Sequence, residues 1–329
     1  MLPIEKVGAV YCAATSLLMV VMMSRLVEPV HMALLRVEWL AMTLAFVFLP
    51  ALLKKHYALP FVNHTLTFLR TVAQLAWLIL WYPDTYEFNR CFNNLDHHFA
   101  ALDLSLFGCQ PSLVFSQLLP NVAWSEAFCL GYWSYFPMIA LLSLVVLFKP
   151  SVNNNGIRTI DIQTSIIQFK TVTSTILAAF FIYYAIYIFL PVAGPQFYFQ
   201  AVGIEDITQG HFPALGTYFS IHTEMLPTPG DPDGFFYRLV SSAQATGERP
   251  TAAFPSSHIG ISTILLLLAR RHVPRLLIIL LPLWVLLCCA TVYIQAHYLV
   301  DSIAGLISAP FILMLAQFCL SGEFFSSKD

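Results

Sequence analysis

The sequence predicts an all-α protein, a polytopic integral membrane bundle of about eight transmembrane helices. The first observation is composition: of 329 residues, 58% are hydrophobic and only 10% are charged, whereas about 25% of the residues in an ordinary soluble domain are charged. The second is that eight stretches approach the roughly 20 mostly apolar residues that a helix needs to cross the hydrocarbon core. Both indicate a chain whose solvent is the bilayer.

The eight predicted spans follow one another in order along the chain: 7–24, 33–53, 66–83, 127–148, 171–193, 258–270, 275–296 and 298–320. The first has no small-residue cleavage site after its apolar run, so we interpret it as a retained helix rather than a signal peptide. The sixth is short and is expected to begin inside the segment FPSSHIG, residues 254–260.

Lysine and arginine set the expected orientation, because cytoplasmic connections carry an excess of them. One side of the alternating trace collects most of these residues: Lys6, Lys54, Lys55, Arg70, Lys149, Arg158, Lys170, Arg270, Arg271, Arg275 and Lys328. We therefore expect both termini in the cytoplasm. The long connections 84–126 and 194–257 would then lie on the extracytoplasmic side, periplasmic or lumenal, and the first of them could form an interfacial helix that covers the outer surface.

Cysteines and net charge exclude several function classes. The seven cysteines form neither a CxxC pair nor a His/Cys cluster with metal spacing, so no metal and no cofactor is predicted. Cys91 and Cys109 could form a disulfide in an oxidising compartment. A net charge of -2 without a basic arm argues against nucleic acid, and membrane lipids remain as the expected partners.

Two polar segments interrupt the apolar pattern near the C-terminus. FPSSHIG contains His258, and ATVYIQAHYLVD, residues 290–301, contains His297 and Asp301. Two membrane crossings separate the histidines, so the chain should return His297 to the outer surface where His258 lies. Residues four apart share one face of a helix, which would place Asp301 beside His297.

Such a group suits phosphoryl transfer. Asp301 can accept a hydrogen bond from one ring nitrogen of His297 and leave the other as a nucleophile, while His258 acts as general acid and base. Ser256, Ser257 and free N–H groups at a helix start can hold an anion. Each residue alone has a plainer explanation, since Pro-Ser-Ser also starts helices and isolated histidines are often packing residues, but ionisable groups at bilayer depth usually serve function.

FPSSH and AHYLVD resemble the second and third signature motifs of the type 2 phosphatidic acid phosphatase superfamily. The resemblance implies a six-helix lipid-phosphatase-like core. It also implies the same roles for His297, Asp301 and His258, with Ser256 as a phosphate ligand. On this basis residues 1–65 are two additional N-terminal helices and residues 66–329 are the catalytic core.

The chain departs from the superfamily pattern in two places. Ala290 and Thr291 stand where the phosphatases usually carry Ser-Arg, so the phosphate-clamping arginine is absent. The first signature motif is also missing, and Arg249-Pro250 is a poor substitute because position 242 is Ser. A phosphodiester carries one negative charge, whereas a phosphate monoester carries two. A diester substrate therefore needs fewer cationic ligands, which is compatible with the missing arginine.

The motif around His297 is similar to that of the inositol phosphorylceramide synthase branch: Thr291-Val292-Tyr293 is followed by His297-Tyr298 and by Asp301. That branch moves a phospho-head group from a glycerophospholipid to a ceramide hydroxyl through a phosphohistidine. We expect this reaction, with a phosphoinositol-like head group. Arg249 and Arg238 are candidate head-group ligands, and Tyr293 could line the lipid entrance, although an interfacial aromatic belt explains it better.

Two alternative functions stay open. A lipid phosphate phosphatase, acting on phosphatidate or an isoprenoid diphosphate, would use the same residues with water as the second nucleophile. A transporter or scaffold without chemistry is the remote alternative. Glu126, Tyr132 and Tyr135, at the outer start of the fourth span, could orient a head group or simply pack.

Overall fold

The computed structural model describes residues 1–52, 60–149, 151–152, 158–159 and 162–322. Apart from two very short strands, the regular structure in these ranges is helical, in agreement with the predicted all-α class. The strands β1 (Ser151–Val152) and β2 (Arg158–Thr159) pair in antiparallel fashion in the connection before the longest helix. The fold is therefore a helical bundle whose connections also contain helices.

The described residues of the N-terminal part form four helices: α1 (Pro3–Met22), α2 (Pro29–Leu52), α3 (Pro60–Ala76) and α4 (Leu78–Asn89). Proline begins α1 and suits the first turn, where its missing N–H costs nothing. The predicted third span, 66–83, is divided between α3 and α4, with a break at Trp77.

Where the structure describes the middle of the chain, it has five helices: α5 (Asp96–Phe107), α6 (Pro111–Leu118), α7 (Val122–Trp133), α8 (Tyr135–Leu147) and α9 (Ile162–Phe189). Gly108 ends α5 with φ of 69°, the left-handed conformation that glycine adopts without steric cost. The predicted outer connection 84–126 thus contains helices. Within it Cys91 and Cys109 are free thiols, so no disulfide joins them.

The C-terminal part holds the remaining helices: α10 (Pro195–Val202), α11 (Ile204–Thr208), α12 (Phe235–Gly247), α13 (Ser257–His272), α14 (Leu277–Tyr293) and α15 (Leu299–Leu320). Two single 3-10 turns, Tyr218–Ser220 and Pro274–Leu276, stand between them. The sixth predicted span corresponds to α13, which does begin inside FPSSHIG.

Helix α9 lies at the centre of the bundle. It packs against α1, α4, α8, α13 and α15, and 72% of its apolar window is buried inside the protein. A helix that is apolar on every side can be covered by lipid or by other helices, and here other helices cover most of it. The arrangement places α13 and α15, which carry the two polar motifs, directly against this central helix.

Five helical segments of the described chain are long and apolar enough to cross a membrane, and their bounds are Pro3–Met22, Pro29–Pro50, Gln163–Phe189, Pro274–Tyr293 and Leu299–Leu320. The number rises to seven if the bent pairs α5–α6 (59°) and α7–α8 (50°) each count as one span. These helices fit an integral membrane protein. The predicted count of eight is not confirmed, since α13 has only 16 residues and the third span is broken.

Candidate active site

Three chain segments cross at the start of α13. The Ser256 N–H donates to the carbonyl of Asp301 at 3.0 Å, and the Ala253 N–H donates to the carbonyl of Val192. Gly305 of α15 lies against this crossing, since a Cβ there would come within 2.4 Å of the Ser256 carbonyl oxygen. Backbone contact of this kind fixes the relative positions of the two polar motifs.

A second glycine brings the segment LPVAG to the same place. Gly194 has φ of 98°, and a Cβ on it would lie 2.8 Å from the carbonyl oxygen of Ala296, the residue before His297. A side chain would be excluded both by this backbone conformation and by the close approach. The segment that follows α9 therefore belongs to the wall of the site.

The structure brings the two histidines into contact. Nδ1 of His258, in the first turn of α13, lies 3.3 Å from Nε2 of His297, in the turn between α14 and α15. The other nitrogen of His297, Nδ1, lies 2.8 Å from the carbonyl oxygen of Ala253. A carbonyl can only accept, so Nδ1 carries the proton of the neutral ring and Nε2 keeps its lone pair.

Burial keeps His297 neutral. The side chain is only 3% exposed, and removal from solvent lowers its pKa to about 4, although the hydrogen bond to Ala253 acts in the opposite direction. Because Nε2 of the neutral ring has no hydrogen to give, Nδ1 of His258 is the donor in their 3.3 Å contact. In this resting state Nε2 of His297 carries a lone pair, and Nδ1 of His258 carries a proton that points at it.

Asp301 does not accept the ring proton of His297 in this structure. Its Oδ2 lies 3.9 Å from Nδ1 of His297, too far for a hydrogen bond, and accepts from the Tyr298 N–H at 3.0 Å instead. The reason is local: α15 begins at Leu299 with Tyr298 as its N-cap, so His297 precedes the helix and the expected shared face does not exist. The other oxygen, Oδ1, is buried without a hydrogen-bond partner.

Two aspartates of α5 hold the segments that carry the site, and the sequence analysis assigned them no role. Asp103 accepts from the N–H groups of Leu299 and Val300 at 2.9 and 3.0 Å, and so caps α15 from another helix. Asp96 accepts from the N–H groups of Ala193 and Gly194 at 2.6 and 2.8 Å and from the hydroxyl of Tyr298 at 3.0 Å. Both carboxylates are fully buried.

Aromatic rings from α7 and α8 fix the ring of His258. Tyr132 stacks on it with a centroid distance of 4.7 Å and an interplanar angle of 27°, and Tyr135 lies at 4.6 Å and 44°. The Tyr135 hydroxyl also donates to the carbonyl of Ser257 at 3.3 Å. Glu126 has a different place, since it accepts from the N–H groups of Phe236 and Tyr237 at the start of α12.

A cavity opens beside the two histidines. Together with its mouth it encloses about 390 Å³, of which only about 30 Å³ is wide enough for the centre of a water molecule. The lining side chains and backbone come from five parts of the chain: Tyr82, Tyr132, Ala193, Gln196, Phe197, Glu248, Thr251, Ala252, Ala253, Ser257, His258, Ala296 and His297. No lysine or arginine is among these described lining residues.

Glu248 is the acidic residue of the cavity, and sequence reasoning missed it. Its Oε1 accepts from the hydroxyl of Tyr82 at 2.5 Å. Removal from solvent raises the pKa of this carboxyl, while the Tyr82 hydrogen bond and the charge of Arg249 oppose the rise. The sequence does place this acidic residue ten positions before His258, directly before Arg249-Pro250. That proximity was the one feature from which its place in the site could have been inferred.

The other predicted ligands lie in different surroundings. Ser257 lines the cavity, whereas Ser256 is fully buried and its Oγ accepts from the Ile259 N–H at 3.4 Å as the N-cap of α13. Arg249 donates to the carbonyl of Glu248 at 2.7 Å and is not part of the lining. Arg238 is exposed on α12.

Tyr293 lies in a separate aromatic cluster. Its hydroxyl donates to the carbonyl of Leu119 at 3.1 Å, and its ring is 4.9 Å from that of Phe128. Thr291, which stands in place of the missing arginine, contacts Ser302 at 3.2 Å and accepts the His297 N–H on its carbonyl at 3.0 Å. These residues support the turn that carries His297.

The described residues contain no group of three or more His, Cys, Asp or Glu side chains arranged to hold a metal ion. The chemistry that the site offers comes from an imidazole lone pair, an adjacent imidazole proton and buried carboxylates. This set can carry a phosphoryl group on nitrogen and exchange a proton with its leaving group.

Comparison with known proteins gives one match. A family model described as the PAP2 superfamily matches residues 97–315, about two thirds of the chain, and this range contains both histidines. No curated protein and no solved structure matches. Members of the superfamily are phosphatases or phosphotransferases, which suggests a lipid phosphatase or phosphotransferase here. The chain, with its paired imidazoles at the start of α13 and before α15, belongs to the PAP2 superfamily.

Proposed function

We propose that this protein transfers a phospho-head group from a glycerophospholipid to a lipid alcohol of the ceramide type, through a phosphohistidine at His297. The observation that carries the proposal is the contact between Nε2 of His297, which has a free lone pair, and Nδ1 of His258, 3.3 Å away. The two half-reactions need a nucleophile and a proton donor that can both reach one phosphate group.

In the first half-reaction Nε2 of His297 attacks the phosphorus of the donor lipid. An N–P bond forms and the bond between phosphorus and the glycerol oxygen breaks. His258, which enters this step as the imidazolium, gives that oxygen a proton and becomes neutral, so diacylglycerol leaves. The Ala253 carbonyl stabilises the positive charge on the His297 ring through Nδ1, and Asp301 lies close enough to act through space.

In the second half-reaction the hydroxyl of the acceptor lipid attacks the same phosphorus. His258 takes the hydroxyl proton as a general base, the N–P bond breaks, and His297 regains its lone pair. Tyr132 and Tyr135 hold the His258 ring in one plane through both steps. The cycle returns both histidines to their starting protonation states.

The lining of the cavity supports a diester rather than a monoester substrate. A phosphate monoester carries close to two negative charges near neutral pH and requires cationic ligands, but no lysine or arginine is among the described lining residues, and position 291 is Thr. A diester with a single charge is compatible with this surrounding. A lipid phosphate phosphatase is the second candidate, because His258 can activate water as readily as an alcohol.

Two head-group classes are compatible with the chemistry. The motif around His297 is similar to the inositol phosphorylceramide synthase branch, which favours a phosphoinositol-like group. The acidic and aromatic lining of the cavity favours a group with a positive end.

The membrane side of the site follows from charge. Arg270, Arg271 and His272 stand in the last turn of α13, at the opposite end of that helix from His258. We propose that this basic end faces the cytoplasm, with both termini, and that the site opens on the extracytoplasmic side.

The test is an assay of the purified full chain in mixed micelles. The micelles contain a ceramide and a glycerophospholipid labelled in its phospho-head group. We expect a new phosphosphingolipid together with equimolar diacylglycerol, and neither product with the variant His297→Ala. Release of free phosphate or head-group phosphate, with no labelled sphingolipid, would support the phosphatase instead.

A further inference from the structure

The catalytic cavity contains a carboxylate that the histidine chemistry does not use. Glu248 stands at the end of α12 and reaches the cavity that His258 and His297 line. Its hydrogen bond to the Tyr82 hydroxyl, at 2.5 Å, involves a neutral partner. Among the described residues no lysine, arginine or histidine lies within ion-pair distance of this carboxylate.

The neighbouring cation, Arg249, binds the backbone of Glu248 and not its carboxyl. Arg249 donates from its guanidinium to the backbone carbonyl of Glu248 at 2.7 Å, and it does not line the cavity. A half-buried carboxylate without an ion-paired cation costs free energy, and loss of solvent raises the pKa of this group, although the charge of Arg249 opposes the rise. A ligand that brings a positive charge would remove that cost.

Aromatic rings complete the surroundings of the carboxylate. Tyr82, Tyr132 and Phe197 line the same cavity. The faces of aromatic rings attract ammonium groups, and several rings together with a carboxylate form the usual surrounding of a quaternary ammonium ligand. Gln196, Thr251 and Ser257 supply polar groups for the remaining wall.

We propose that Glu248, with Tyr82 and Tyr132, binds the positively charged end of the donor's head group, so that the donor is a zwitterionic glycerophospholipid with a choline-like or ethanolamine-like amine. This assignment rests on the proposed head-group transfer and names its donor class. An inositol head group would place a second uncompensated negative charge, that of the phosphodiester, beside Glu248. A zwitterionic head group brings equal charges of both signs.

The fit requires side chains to move. Only about 30 Å³ of the cavity admits the centre of a water molecule in this structure, which is less than an ammonium group with its methyl substituents occupies. Tyr82 and Tyr132 are partly exposed, and an entering ammonium group takes the place of the Tyr82 hydroxyl beside Glu248.

The first experiment measures diacylglycerol release from donors that share acyl chains but differ in head group: phosphatidylcholine, phosphatidylethanolamine and phosphatidylinositol. Diacylglycerol reports donor cleavage whether the second nucleophile is ceramide or water, so the readout does not depend on transfer. We expect kcat/KM for the two amine-bearing donors to exceed that for phosphatidylinositol by about tenfold or more, the size of a desolvated cation–π and ion-pair contact.

The variant Glu248→Gln keeps the shape of the side chain and removes its charge. We expect it to lose most of that preference, through a fall in kcat/KM of about tenfold for the amine-bearing donors relative to phosphatidylinositol. Tyr82→Leu should reduce the preference in the same direction. Glu205→Gln, on the exposed helix α11, is the matched control and should leave every donor unchanged. A wild-type preference for phosphatidylinositol, or an equal fall for all donors in Glu248→Gln, would overturn the assignment.

A binding measurement covers the case in which no donor is cleaved, which would contradict the proposed function alone. In the His297→Ala protein, glycerophosphocholine should bind at least about tenfold more tightly than glycerophosphoinositol, and the difference should disappear in His297→Ala/Glu248→Gln. Equal or reversed affinities in the His297→Ala protein would overturn the amine-binding role.

Discussion

Helices α1 to α4 pair their buried carboxylates with guanidinium groups, whereas Asp301 and the half-buried Glu248, beside the two histidines, have neutral partners. Arg36 of α2 binds Asp84 of α4 through two hydrogen bonds of 2.9 and 3.0 Å, and Arg70 of α3 binds Glu5 of α1 through two of 2.7 Å. All four residues are buried. Paired charges of this kind connect helices across an apolar interior, and removing one partner leaves a costly uncompensated charge.

In the catalytic cavity the polar groups are held by neutral partners. The Tyr298 N–H binds Asp301, a tyrosine hydroxyl binds Glu248 and a backbone carbonyl binds His297, and Oδ1 of Asp301 has no hydrogen-bond partner. Neutral partners fix the position of a group without neutralising its charge or lone pair. The paired charges in α1 to α4 hold helices together, whereas the unpaired charges beside the histidines stay free to interact with a substrate.

The largest expected effect is at the nucleophile. His297→Asn removes the lone pair at Nε2 while it keeps a polar side chain, and we expect turnover to fall by at least about 10⁴-fold, as for removal of a nucleophile in enzymes of this kind. The assay is diacylglycerol release, with circular dichroism and size exclusion to check folding. The control is His211→Ala, at an exposed histidine. Residual activity above a hundredth of wild type would contradict the role of His297.

The next effect concerns the ion pairs. Arg36→Met alone should reduce the free energy of unfolding by about 3–5 kcal/mol, because Asp84 is left charged and buried. The double variant Arg36→Met/Asp84→Leu should recover most of that loss, since both desolvation costs disappear together. Thermal unfolding in detergent measures both. If the single and double variants were equally unstable, the pair would not act as an assembly contact.

A smaller effect is expected at the cap that α5 supplies to α15. Asp103→Ala removes the acceptor for the N–H groups of Leu299 and Val300, and loss of a helix cap costs about 1–2 kcal/mol. Because the cap lies two residues after His297, kcat should fall as well. Asp103→Asn keeps one acceptor oxygen and should restore part of both quantities. Full kcat in Asp103→Ala would show that this cap does not position the site.

The smallest effect is in the pH profile. Protonation of Nε2 abolishes the lone pair of His297, so activity falls as pH drops through its pKa, which burial lowers to about 4. Between pH 7 and pH 5.5 we therefore expect a loss of less than about twofold from this group, whereas a histidine of ordinary pKa near 6.5 would lose about tenfold. A profile of kcat/KM over this range decides between them, and a tenfold fall would mean that His297 is solvated in the working enzyme.

Much of the fold could be predicted, because apolar run length reports directly on membrane helices. The start of α13 inside FPSSHIG was also accessible, since Pro and Ser are typical of helix starts. The number of spans was harder, because Trp77 interrupts one predicted span and bent helices fill a connection that was expected to lie outside. Such breaks depend on packing rather than on local composition.

In the site, the two histidines could be predicted and their surroundings could not. The 39-residue separation fits two crossings, so their approach follows from topology. The acceptor for His297 is a backbone carbonyl, at Ala253, and no residue type announces that role. The contacts of three acidic residues, Asp96, Asp103 and Glu248, join segments that are far apart in the sequence. Their roles therefore become visible only in the folded structure.

The central claim is that His297 carries the phosphorus between the two lipids. The most direct measurement is rapid quenching of the enzyme with a donor labelled at phosphorus, followed by alkaline digestion and peptide mapping. The account predicts an acid-labile, base-stable label on the peptide that contains His297, lost on addition of a ceramide and absent in His297→Asn. Turnover at the wild-type rate with no label on His297, or with a label on another residue, would contradict it.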